Sequence, residues 1–224
     1  MGLNSVLETI YLAVGLLIAL VVHEYAHAWT AMRLGDYTPK MMRRATLDPR
    51  PHVDPFGTYV LPALLLLPVL FGSSVIRGNG LFPVFAYGKP FAVNPWNLRK
   101  QDRHLTLIAL AGPVANVALA FAFGGLFRAV ASANTQLARF LAACLISTVT
   151  MAVMQIVPIP GLDGSRLIAR FLPSRAREIY QNMDQYAALF ILLIFFIVHG
   201  PIFAFVRVIG NGICHVVVGA NCFA

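Results

Sequence analysis

His23, Glu24 and His27 are the residues of this chain whose types and spacing are best suited to chemistry. They stand in the order His-Glu-Tyr-Ala-His. Residues four apart lie on one face of an α-helix, so both imidazoles can offer a nitrogen to a single Zn²⁺. Glu24 is the next residue round the helix from His23. It is close enough to work on a water at the metal without being a ligand. This is the His-Glu-x-x-His arrangement of zinc hydrolases. In a soluble helix the same five residues can occur by chance on a solvated face. Here they follow Ile10–Val22, a run in which every residue is apolar or small. Titratable groups at membrane depth are costly enough to mark function.

A two-histidine site needs a third ligand, and Asp163 is the best candidate. It lies in Gln-Ile-Val-Pro-Ile-Pro-Gly-Leu-Asp-Gly, residues Gln155–Gly164. Pro158 and Pro160 prevent a regular helix, and non-helical backbone at membrane depth is tolerated where protein or a cavity covers it. Asp163 is therefore expected on an unwound, glycine-flanked stretch. Alone, Asp-Gly reads as a turn; beside two histidines that lack a carboxylate, the ligand reading is preferred. Three protein ligands leave a fourth position for water, with one zinc per chain and Glu24 as general base. Asn116 is polar within an apolar span. An isolated Asn there serves as interhelical glue; next to a hydrolytic centre its amide is also a candidate oxyanion donor.

The elements that must position these residues are membrane helices. Of 224 residues, 58% are hydrophobic and 12% charged, and the mean hydropathy is +0.74. These values predict one integral-membrane domain over residues 1–224 rather than a soluble protein. The first segment lacks a basic start, carries Glu8 and leads directly into the histidines, so it does not read as a signal peptide. Its helix is expected to stop near Gly35. Leu105–Val130, Leu137–Val157 and Tyr186–Ile209 are the other expected spans. Phe56–Ile76 is long enough to cross, but Pro62, Pro68 and Gly72 interrupt it.

The formal net charge is +8. The basic residues are scattered and no recognition module is visible, which argues against nucleic acid and for loops facing anionic headgroups. If Arg33–Arg50 is cytoplasmic, the first helix runs inward and His23 and His27 lie toward its cytoplasmic end. Asp163 must reach the same depth, and the basic stretch Arg166–Arg177 places its end inside too. Both flanks of Phe56–Ile76 are then cytoplasmic. That favours a re-entrant or broken pair of half-helices; the alternative is a true span with the charge rule failing for one loop. The run Leu81–Tyr87 is strand-like, and Pro83 confines it to an edge. Cys144 reads as a core residue. Cys214 and Cys222 can pair if the C-terminal end lies outside.

Taken in order, His-Glu-Tyr-Ala-His, Ala-Gly-Pro-Val-Ala-Asn at Ala111–Asn116 and Pro-Ile-Pro-Gly-Leu-Asp-Gly at Pro158–Gly164 resemble the site-2 protease family of intramembrane zinc metalloproteases. Asp-Pro-Phe-Gly-Thr at Asp54–Thr58 and Gly88–Arg99 resemble its short prokaryotic members. The resemblance implies His23, His27 and Asp163 as zinc ligands and Glu24 as catalytic base. It also implies a β-like re-entrant loop near Leu81–Val93. The family often has Asn eight residues before the ligand Asp; here that position is Gln155. The short link Ser132–Gln136 leaves no room for a PDZ domain there.

The expected fold is thus all-α and polytopic: about four core transmembrane helices, a broken or re-entrant segment and a small β-like loop. The expected activity is zinc-dependent hydrolysis of peptide bonds in transmembrane protein substrates, in a cell membrane, with the active site toward the cytoplasm and the lipid bilayer as partner. The alternative is a metal-binding membrane protein or transporter without catalysis. A transporter would show paired broken helices and repeats, and the sequence has no repeat.

Overall fold

A computed structural model describes residues 3–71, 84–90, 93–133, 135–197 and 199–223. Helix makes up about three quarters of the described residues and no strand occurs among them, so the fold is all-α. Among the described residues four helices are long and apolar enough to cross a membrane.

The first of these, α1 (Leu3–Arg33), contains no proline. Its buried side chains include Leu12, Leu16, Ala19, His23, His27 and Ala31, three or four apart. One stripe of the helix therefore faces inward, and the histidines belong to it. A short turn, α2 (Thr38–Met41), follows. The next apolar stretch begins as a π-helical turn, Pro55–Val60, and continues as α3 (Leu61–Leu70). Pro62 falls in the first turn of α3, directly after the wide π turn. There its missing N–H and its ring are accommodated, so this proline does not break the element. The combined helix is about 24 Å long, short of a hydrocarbon core of about 30 Å. Residues 72–76 of the expected Phe56–Ile76 segment lie outside the described residues.

The expected edge strand is not displayed as one. Residues 81–83 lie outside the description. Val84, Phe85, Ala86 and Tyr87 form no regular secondary structure and all four are buried. Tyr87 N–H donates to the Gly57 carbonyl (3.1 Å) and Lys89 N–H to the His52 carbonyl (2.9 Å). The backbone is thus tied to the Pro51–Thr58 region rather than left as an open ladder.

Helix α4 (Gln101–Val130) runs back through Pro113, and α5 (Thr135–Ile156) returns beside it. The apolar window of α5 is 78% buried, against 33% in both α1 and α4, so α5 is the central helix of the bundle. After α5 the backbone is unwound from Val157 to Leu162. Asp163 itself is the first residue of α6 (Asp163–Ala169), a short helix, rather than part of the unwound stretch. Then follow α7 (Ser174–Asn182), α8 (Ala187–Ile197) and α9 (His199–Val218), the last two over the span expected at Tyr186–Ile209, with residue 198 between them outside the described residues. The last membrane-length segment is Gly200–Val218, ending nine residues beyond the expected end, because residues 210–218 hold no Pro, Asp, Glu, Lys or Arg to stop it. Gly219 N–H closes the helix on the His215 carbonyl (2.9 Å). Cys214 and Cys222 form a disulfide, as the sequence allows.

Candidate metal centre

Three elements bring the centre together: α1 supplies His23, Glu24 and His27, α6 supplies Asp163, and α4 closes over the imidazoles. His23 Nε2 lies 2.9 Å from Asp163 Oδ2, and His27 Nε2 lies 3.1 Å from the same oxygen. The two Nε2 atoms are 3.0 Å apart. Ligand atoms at about 2.0–2.1 Å around a tetrahedral zinc stand roughly 3.3 Å from one another. Two imidazoles and one carboxylate converging at nearly that spacing, all three buried, are a donor set that fits zinc.

The imidazoles are held from behind. His27 Nδ1 lies 2.6 Å from the Ile108 carbonyl oxygen. Its N–H donates there, which leaves the Nε2 lone pair for a metal. Asn116 lies behind His23, with its amide nitrogen 3.3 Å from Nδ1. In that amide orientation Asn116 Oδ1 is buried without a partner. With amide O and N exchanged, Oδ1 accepts from His23 Nδ1–H, and Nε2 is again free for a metal. Gly112 makes the close approach of α4 possible. A Cβ there would stand 2.5 Å from His23 Cε1 and from His27 Nε2.

The unwound stretch that delivers Asp163 is braced from α7 and the turn after it. Tyr180 O–H donates to the Pro158 carbonyl (2.6 Å), and Gly161 N–H donates to Asp184 Oδ1 (2.9 Å). Ser165 O–H donates to the Leu162 carbonyl (2.7 Å), steadying the start of α6.

Glu24 faces a void of about 10 Å³ whose lining includes His27, Arg44 and His52. That is room for about one water. The Val84–Pro90 segment packs against Glu24 and His52: a Cβ on Gly88 would stand 2.8 Å from Glu24 Oε1 and from the His52 carbonyl oxygen. The segment is fastened by a relay. Asp54 accepts from Phe56 N–H (3.0 Å) and Gly57 N–H (2.7 Å). Asp54 N–H donates to Thr58 Oγ1, and the Thr58 hydroxyl donates to the Tyr87 carbonyl (each 3.0 Å). Arg44 donates to the Pro90 carbonyl. Beyond it, Asp36 accepts from Asn94 N–H (2.8 Å) and from the Asn97 amide (2.8 Å).

Curated relatives extend over most of the chain. A Bacillus subtilis protein named "Putative zinc metalloprotease YwhC" is 30% identical over 195 residues, 83% of this chain and 80% of its own length. "Putative zinc metalloprotease Rip2" of Mycobacterium tuberculosis is 31% identical over 188 residues, and the match spans 81% of this chain and 64% of Rip2. The chain belongs to the site-2 protease family of zinc metalloproteases. No family model matches the chain, and no solved structure does.

The structure brings together His23, Glu24, His27, Asn116 and Asp163, the five site residues expected from sequence. It places Asn116 on the back of His23, away from the ligand side. Gln155 is buried in the last turn of α5. Sequence reasoning missed Gly112, Gly88, Arg44 and His52. Gly112 was legible only as a small residue in a helix-packing run. His52, given no role from sequence, lines the Glu24 void. Its ring bonds the Thr46 carbonyl (2.9 Å), and burial, with Arg44 nearby, pushes its imidazole below the usual histidine range.

Proposed function

We propose that this protein is an intramembrane zinc endopeptidase that cuts transmembrane segments of protein substrates. One observation carries the reading: two imidazoles and a carboxylate converge at 2.9–3.1 Å beside Glu24, within a bundle of membrane-length helices. One zinc per chain is held by His23, His27 and Asp163. Bound there, zinc supplies a Lewis acid that lowers the pKa of water toward neutrality and polarises a carbonyl. Glu24 accepts the proton of the attacking water and returns it to the leaving amine. Asn116 fixes the His23 tautomer rather than reaching the substrate. The Val84–Pro90 segment excludes bulk water and must shift to admit a peptide. The substrate must also unwind, since a helix hides its carbonyls in hydrogen bonds.

Orientation is supported from both ends. Arg33, Arg44, Arg99, Lys100 and Arg166–Arg177 cluster at the metal end, which suits the cytoplasmic face. The Cys214–Cys222 disulfide lies at the opposite end, where Cys222 shares a cavity with Phe127 and Thr135, which suits an oxidising compartment.

The test is to incubate purified protein with a panel of single-span peptides, with zinc, with chelator, and with zinc restored. We expect cleavage within the apolar span that chelator abolishes and zinc restores. A saturated zinc site with no cleavage of any peptide would favour the non-catalytic metal-binding reading. Cysteine labelling at Arg43, Lys100 and Arg175 should report one face and labelling at Asn221 the other. Opposite labelling of Arg43 and Lys100 would make Phe56–Ile76 a true span.

A further inference from the structure

A second polar site lies at the metal end, away from the zinc ligands. A cavity of about 480 Å³, open to the surface, is lined by Arg33, Leu34, Gly35, Arg99, Lys100 and His104. Three permanent cations and an imidazole therefore share one concavity between the end of α1 and the start of α4. No carboxylate among the described residues pairs with Arg33, Arg99 or Lys100. The nearest acids in sequence are already engaged: Asp36 binds Thr38, Asn94 and Asn97, and Asp102 pairs with Arg177 at 3.2 Å. Helix α4 opens on the cavity with no side-chain cap, so its free N–H groups and positive dipole end add to the field. His104 Nδ1, in the wall, is shut off from solvent and has no hydrogen-bond partner.

Two further features give the depth of this cavity. Arg33 lies over the Trp29 ring, 5.0 Å from its centroid. Trp29 is 46% exposed and Trp96, beside Asn97, is 86% exposed. Exposed tryptophans belong at the headgroup level of a bilayer. On α4, Leu107 and Val114 continue the His104 face and are exposed apolar side chains, a path for an acyl chain. We propose that the cavity binds the phosphate of one anionic phospholipid, with Arg33, Arg99 and Lys100 as its partners and a tail laid along Leu107 and Val114. Basic pockets between membrane helices are suited to such headgroups.

The experiment is native mass spectrometry and binding isotherms on the full chain with short-chain phosphatidylglycerol, short-chain phosphatidylcholine, and inorganic phosphate. We expect one saturable phosphatidylglycerol per chain, bound on the order of tenfold or more tighter than phosphatidylcholine and not displaced by millimolar phosphate. Arg99→Gln with Lys100→Gln should weaken it by a similar factor. Lys40→Gln with Arg43→Gln, which removes equal charge elsewhere on the same face, should not. Arg33→Gln serves as an independent variant if the pair fails to fold, as judged by melting and zinc content. Equal weakening in both paired variants would mean diffuse charge and overturn the site. Phosphatidylglycerol binding unchanged in both Arg99→Gln/Lys100→Gln and Arg33→Gln would also overturn it. Displacement by inorganic phosphate at equal affinity would overturn the lipid as its ligand.

Discussion

At one end of the bundle His23, His27 and Asp163 meet under Gly112, surrounded by directional bonds. Ile108, Asn116, Asp36, Asp54, Thr58 and His52 each fix a neighbour through a hydrogen bond. At the other end Cys214 and Cys222 fasten the chain after α9 back onto the helix, and Asn211 bonds Cys222 N–H (3.0 Å) and Phe223 N–H (2.8 Å). The metal end holds atoms at set positions, which chemistry requires; a nitrogen misplaced by an ångström loses its metal or its water. The disulfide end only has to keep the terminus from fraying. The same chain thus uses a network of polar groups where geometry matters, and a covalent staple backed by one asparagine where only attachment matters.

That contrast is tested most sharply at Glu24. Glu24→Gln keeps the shape but cannot accept a proton. We expect zinc content, read by elemental analysis, to stay at one per chain while cleavage falls by about 10²–10⁴-fold. Near-normal turnover would remove Glu24 as the base. His23→Ala and Asp163→Ala should lower zinc content itself, and full zinc in Asp163→Ala would strike it from the ligand set.

Next come the two glycines that let backbone close on the site. Gly112→Ala places a methyl against both imidazoles and should lower zinc content together with activity. Gly88→Ala places one against Glu24 and should lower turnover with zinc retained. Loss of zinc in Gly88→Ala would show that the segment supports the ligands rather than the base.

Asp36 offers a smaller effect with a defined pH dependence. Burial alone would raise its carboxyl, but bonds from Thr38, Asn97 and the Asn94 amide outweigh burial and hold it below the usual range. A depressed folded pKa contributes stability above the unfolded value of about 3.9, and this is lost as pH falls through the folded value. Asp36→Asn should therefore lower the melting temperature at pH 7, with the gap from the unaltered protein narrowing below about pH 4. A gap independent of pH would mean that the carboxylate charge contributes nothing. Turnover should fall only modestly, through looser placement of Asn94–Asn97.

The smallest effect on turnover is expected at the far end. Cys214→Ser with Cys222→Ser opens a short loop and should cost about 2 kcal/mol of stability, seen as a lower melting temperature, with cleavage of a fixed peptide unchanged. A large loss of activity with zinc retained would couple the two ends and end the division of labour drawn above.

The sequence by itself determined the local chemistry and the membrane setting. The i, i+4 spacing of His23 and His27 is a property of any helix, and Ile10–Val22 can be little else in a bilayer. Pro158 and Pro160 likewise dictate an unwound approach to Asp163, because no helix can run through both. A disulfide between Cys214 and Cys222 was allowed but not required by their separation. What the tertiary structure alone decided is where segments distant in the chain touch. Gly112 closing on two imidazoles, Gly88 lying over Glu24 and Asn116 backing His23 are contacts across helices, and no periodicity encodes them. The burial of Val84–Tyr87 was equally out of reach. A run of apolar residues with one proline reads as an edge strand until Ala86 N–H is found against Met151 Sδ (3.4 Å) and Tyr87 N–H on the Gly57 carbonyl (3.1 Å). Local pattern fixes which residue types can act together along one helix; packing of α4, α6 and the loop against α1 decides which of them do.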